Sequence, residues 1–121
     1  MPPRPTERPG GLFWLPRTLA VGYAAFLAVF ALDVFTPGAA FGPTLIALLV
    51  HLWPSALLVA ALAVAWRRPG VGAACFLGLA LVWLGGSRGE ALWVGVPVAV
   101  IGALFGLEAW LSGRHRERPH R

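Results

Sequence analysis

The chain has 121 residues, of which 58% are apolar and 12% charged. A soluble domain carries roughly 25% charge, and one domain of this length is too short to hide so much apolar surface from water. The net charge of +5 comes from ten Arg and no Lys. These Arg flank apolar runs instead of forming a patch with interleaved aromatics, so the expected partner is an anionic lipid headgroup, at about 1 kcal/mol per well-placed Arg, and not nucleic acid.

A membrane-spanning helix needs about 20 mainly apolar residues, because each adds about 1.5 Å across a core of about 30 Å. The first such run is 19–35, closed by Thr36, Pro37 and Gly38, where Pro and Gly break a helix. The second is 44–66, opened by Gly42 and Pro43 and stopped by Arg67, Arg68, Pro69 and Gly70; Pro suits a first helical turn. The third, 71–86, reaches only about 24 Å, so the bilayer thins there or Arg88 snorkels to the surface. The fourth is 91–111. Connections of a few residues make successive helices antiparallel neighbours.

The expected fold is therefore all-α: a polytopic membrane protein with four transmembrane helices in an antiparallel bundle over residues 17–111. Residues 1–16 read as a disordered cytoplasmic segment and 112–121 as a solvated basic tail. Gly38, Ala39 and Ala40 resemble the small-residue site of a cleaved leader. The length of the first run, with Asp33 and Pro37 intervening, argues for an uncleaved span.

Orientation follows from the Arg distribution. Arg4, Arg8, Arg17, Arg67, Arg68, Arg114, Arg116, Arg118 and Arg121 fall on one side of a four-span topology, and only Arg88 on the other. The positive-inside rule puts both termini in the cytoplasm. Trp14, Trp66 and Trp110 then mark the cytoplasmic interface and Trp83 and Trp93 the outer one, with Trp53 inside the second helix.

Helices in lipid associate where small residues allow close approach. Candidate inward stripes are Ala20, Ala24, Ala28 and Ala31 on the first helix, and Ala56, Ala60 and Ala63 on the second. On the fourth they are Gly95, Ala99, Gly102 and Gly106. The Gly102 and Gly106 pair serves a partner helix or a dimer face equally well. Cys75, the single cysteine, excludes an internal disulfide and reads as a small packing residue.

Ionisable groups inside a membrane are costly and mark candidate sites. Asp33 lies near the outer end of the first helix. His51 lies in the second, three residues before Pro54, which has no N–H for the carbonyl of Val50. Ser55 has the reach to bond back to the carbonyl of His51 or Leu52. Asp33, His51, Pro54 and Ser55 form the candidate intramembrane polar site: a proton-relaying Asp–His pair, or a structural arrangement in which Asp33 faces headgroup water or Arg88 and His51 bonds a carbonyl freed beside Pro54. Glu108 lies near the cytoplasmic end among Arg17, Arg67, Arg68 and Arg114 and is expected in an interfacial salt bridge there, with Arg67 and Arg68 as the candidate partners. His115, Glu117 and His120 match no established metal spacing, and neither metal nor cofactor is expected. The chain carries no P-loop, GxGxxG, GxSxG, HExxH or CxxC motif.

The segments Leu32-Asp33-Val34-Phe35, His51-Leu52-Trp53-Pro54 and Ala65-Trp66-Arg67 resemble a domain-of-unknown-function family of small prokaryotic membrane proteins with four spans. The resemblance covers about residues 18–110 and implies the four-span fold without implying an activity. Length and span count also look like the small multidrug-resistance transporters, which work as dimers through a Glu in mid-membrane; here the first helix holds only Asp33, near its end. The function expected is thus a non-enzymatic accessory or structural component of the cell membrane. The alternative is a small homo-oligomeric, proton-coupled carrier using Asp33 and His51. A lipid-acting enzyme with His51 as base and Asp33 as orienter ranks third.

Overall fold

The structure is a computed structural model that describes residues 10–86, 89 and 92–117. Four α-helices account for nearly all of it: α1 (Gly11–Phe30), α2 (Phe41–Arg67), α3 (Pro69–Gly86) and α4 (Leu92–Glu117), with a 3₁₀ turn at Ala31–Val34 extending α1. All four are long and apolar enough to cross a membrane. The protein is an all-helical, multi-pass membrane bundle.

Helix ends follow local chemistry. α1 starts at Gly11, so Leu12 to Arg17 belong to the helix and not to a disordered segment; the apolar residues before Arg17 extend the span. Between α1 and α2, Ala39 N–H donates to the Thr36 carbonyl at 3.2 Å, and Gly38 has φ +85°. This is a turn with Pro second and Gly third, where positive φ suits Gly. Arg68 alone separates α2 from α3, because Pro69 keeps its predecessor out of the helical region and then opens the next helix. α4 runs on to Glu117, so residues 112–117, expected as a loose tail, are helical and exposed. Residues 1–9, Ser87, Arg88, Ala91, Arg118, His120 and Arg121 lie outside the described residues.

Each helix packs against its two neighbours, with α4 closing the ring onto α1. The α3–α4 contact is the most extensive and is built on small residues. A Cβ on Gly102 would meet Leu77 Cγ at 3.0 Å, on Gly106 the Ala73 Cβ at 3.8 Å, and on Gly95 Leu84 Cγ at 2.6 Å. Steps along α3 are matched by equal steps back along α4, an antiparallel register. The GxxxG pair therefore serves a helix of the same chain. Phe76 and Phe105 stack between these helices at 5.5 Å.

On α1, Ala20, Ala24 and Ala31 are buried, as the alanine stripe predicts. On α2 the stripe is different. Ala56, Ala60 and Ala63 are exposed, and the inward face is Ser55, Leu58, Ala61, Leu62 and Ala65. α2 is apolar all round, so hydrophobicity carries no facing signal there, and small size alone misassigns the face. No residue of α2 before Ser55 is buried. The bundle thus closes over the half of α2 near Arg67, here called the basic end, and covers the other half only on one side, where Ala47, Leu48, Leu52 and Pro54 are half-buried.

Candidate functional site

Two polar regions stand out. The first is at the basic end. Arg17, in the second turn of α1, is 1% exposed, and its Nη1 donates to Glu108 Oε2 of α4 at 2.9 Å. The same nitrogen donates to the Phe13 carbonyl one turn earlier. The guanidinium lies 3.6 Å over the Phe13 ring and about 5.5 Å from the Trp66 and Phe105 rings. Arg17 Nε is buried without a partner. The aromatic faces offset part of the desolvation of the cation, and Glu108 supplies the countercharge.

Of the basic residues expected around Glu108, Arg17 is its partner, and not Arg67 or Arg68. Arg67 and Arg68 are exposed at the end of α2, and the ion pair of Glu108 among the described residues is with Arg17. The pair is buried within the bundle, not interfacial. The reason is helical phase. Glu108 continues the inward stripe of Gly95, Val98, Ile101, Gly102 and Phe105, and Arg17 continues the stripe of Ala20 and Ala24. Extending the alanine stripe back by one turn was the signal for Arg17, which charge counting assigns instead to a flank.

Two further bonds cross between helices. Ser55 Oγ, buried, donates to the Ala24 carbonyl at 2.9 Å, and not back along its own helix. Tyr23 Oη donates to the Trp93 carbonyl at 3.1 Å. Trp93 lies four residues before Pro97, so it is the carbonyl that Pro97 deprives of its usual helical donor. The α1 hydroxyl replaces that donor.

The second region is the thinly covered first half of α2. His51 is exposed, and its Nδ1 lies 2.8 Å from the Ala47 carbonyl. Asp33, in the 3₁₀ turn, is also exposed and makes no hydrogen bond or ion pair with any described residue. Asp33 and His51 form no direct bond, so of the two arrangements open to them the directly bonded pair is not the one seen. α2 begins at Phe41 rather than Thr44, which sets His51 about 15 Å into its helix, whereas Asp33 sits at the very end of its own. Nor does His51 reach the carbonyl freed by Pro54; it folds back to Ala47. Helix α2 continues through Pro54 to Arg67.

At the far end of α4, Arg114 lies 3.9 Å over the Trp110 ring. His115 and Glu117 are exposed on the last turn.

An apolar groove of about 500 Å³ runs between α1 and α4, lined by Gly22, Tyr23, Phe26 and Pro97 among others. A slot of about 320 Å³ lies beside Trp14, Arg17 and Trp66, whose indole rings meet edge to face at 6.2 Å.

A family described as a domain of unknown function (DUF7670) matches residues 5–119. No curated protein and no solved structure matches the chain significantly.

Proposed function

The chain belongs to the DUF7670 family, and we propose that it is a non-enzymatic accessory or structural component of the cell membrane. Its termini are cytoplasmic and its basic end rests among anionic headgroups. The observation that carries this reading is how the buried polar side chains are used. Arg17, Ser55 and Glu108 are the buried polar residues of the described chain. Each is spent on joining one helix to another. Such a bundle is a rigid body, suited to presenting outer helix faces to a larger assembly.

The test is native mass spectrometry of the chain released from its own membranes in lipid particles. The expected result is a stoichiometric complex with a different polypeptide. A chain recovered alone, or only with copies of itself, would overturn the accessory role.

The alternative is a small oligomeric carrier using Asp33 and His51. One observation favours it: both side chains point away from the bundle, as groups shared between copies do. Flux into liposomes that is lost in both Asp33→Asn and His51→Ala would support it, and flux that survives both would end it.

A further inference from the structure

Arg17 carries more donors than the bundle uses. Its Nη1 is spent on Glu108 and on the Phe13 carbonyl. Neither Nε nor Nη2 donates to a described residue, and Nε is buried without a partner. Guanidinium N–H groups only donate, and leaving them without an acceptor is costly. Thr18, the next residue, is exposed. Thr44 gives its hydroxyl to the carbonyl one turn back, whereas the Thr18 hydroxyl makes no hydrogen bond among the described residues. Arg17 and Thr18 both line the slot of about 320 Å³ between α1 and α2. The other walls are apolar: the Trp14 and Trp66 rings, Val21 and the bare backbone of Gly22.

The slot has a height, a rim and a continuation. Trp14 and Trp66 meet edge to face at its mouth. Such rings sit at the level of the headgroups, so Arg17 and Thr18, about one turn further along α1, lie roughly 5 Å below that level. Arg67 and Arg68 follow Trp66 directly and are exposed, which makes the rim cationic. Thr18 and Gly22 also line the α1–α4 groove of about 500 Å³. A Cβ on Gly22 would meet nothing within 4 Å, so the slot and the groove meet over an open notch on α1.

We propose that the slot holds one anionic phospholipid, with its phosphate against the guanidinium edge that Glu108 leaves free and against the Thr18 hydroxyl, and with an acyl chain crossing the Gly22 notch into the α1–α4 groove. This rests on the reading that the basic end lies among anionic headgroups, and it names the site within that end. A phosphate brings only acceptors to a place where the chain offers unused donors. A free phosphate ion fits worse, since it leaves the apolar walls and the groove unfilled. A zwitterionic head fits worse too, since it brings a second cation to a rim that already holds Arg67 and Arg68.

The test is native mass spectrometry of the full chain, released from lipid particles of equimolar phosphatidylglycerol and phosphatidylcholine with the same acyl chains. One phosphatidylglycerol per chain is expected to stay bound, with a preference of about tenfold over phosphatidylcholine. Thr18→Val removes the hydroxyl and keeps the shape, and Gly22→Leu closes the notch. Each is expected to lower the retained phosphatidylglycerol about tenfold, and Thr18→Ser to restore it. Both positions are exposed, so the unfolding temperature in the same particles should stay unchanged. Arg114→Gln removes one charge from the basic end outside the slot and is expected to leave the retained lipid in place. A preference for phosphatidylglycerol that is indifferent to Thr18→Val and Gly22→Leu, or that Arg114→Gln removes as well, refutes the slot and leaves the headgroup reading of the basic end standing. Equal retention of the two lipids removes both.

Discussion

Arg17 and Glu108 stand 91 residues apart in the chain and 2.9 Å apart in the fold, tying the first helix to the last. Removing one partner leaves the other charge buried alone, which costs about 3–5 kcal/mol. Glu108→Ala is therefore expected to destabilise the bundle by that order in reversible mixed-micelle unfolding. Replacing both, Arg17→Met with Glu108→Leu, is expected to recover most of the loss, because an apolar pair of similar volume needs no countercharge. A double variant as unstable as the single one would mean that the aromatic cage around Arg17, and not the ion pair, sets the cost.

The glycines divide into two kinds. A Cβ at Gly72 would collide with the Cα and Cβ of Ala65, whereas one at Gly22 meets nothing within 4 Å. Gly72→Ala must part α2 from α3 and is expected to cost about 1–3 kcal/mol. Gly22→Ala is expected to be neutral or to gain up to about 1 kcal/mol through helix propensity. The same unfolding assay compares them directly, and equal losses would refute the close α2–α3 approach.

Tyr23 and Pro97 make a coupled pair. Tyr23→Phe is expected to cost about 0.6–1.7 kcal/mol, the range for a hydrogen bond between membrane helices. In a Pro97→Ala background residue 97 regains its N–H for the Trp93 carbonyl, so the same change should cost less. A double-mutant cycle measures this difference. Additive effects would mean that the hydroxyl does not serve the carbonyl freed by proline.

The tautomer of His51 is open to nitrogen-15 solid-state NMR in bilayers. The bond to the Ala47 carbonyl requires a proton on Nδ1, because a carbonyl only accepts. A spectrum with Nδ1 unprotonated would contradict that bond.

The four spans were readable in the sequence because a bilayer demands long apolar runs, and the alanine and glycine stripes of α1 and α4 located their inward faces. What failed has specific causes. On α2 every face is apolar, so Ala56, Ala60 and Ala63 gave no true direction, and Leu58 and Leu62 turned inward instead. Arg17 was read as a flanking charge because the apolar residues before it were assigned to the tail. Asp33 and His51 are neighbours across a loop in sequence, but their heights in the membrane depend on where α2 starts. Helix starts are what apolar runs define least sharply.

The tie between first and last helices bears on how the chain is made. Synthesis delivers α1 before α4, so Arg17 arrives at the membrane ahead of the carboxylate that neutralises it. Until then its long side chain is better placed with the charged head up at the water layer, and α1 rides high. The final seat of α1 thus waits for Glu108. A nascent chain interrupted before that residue carries a cation without its countercharge.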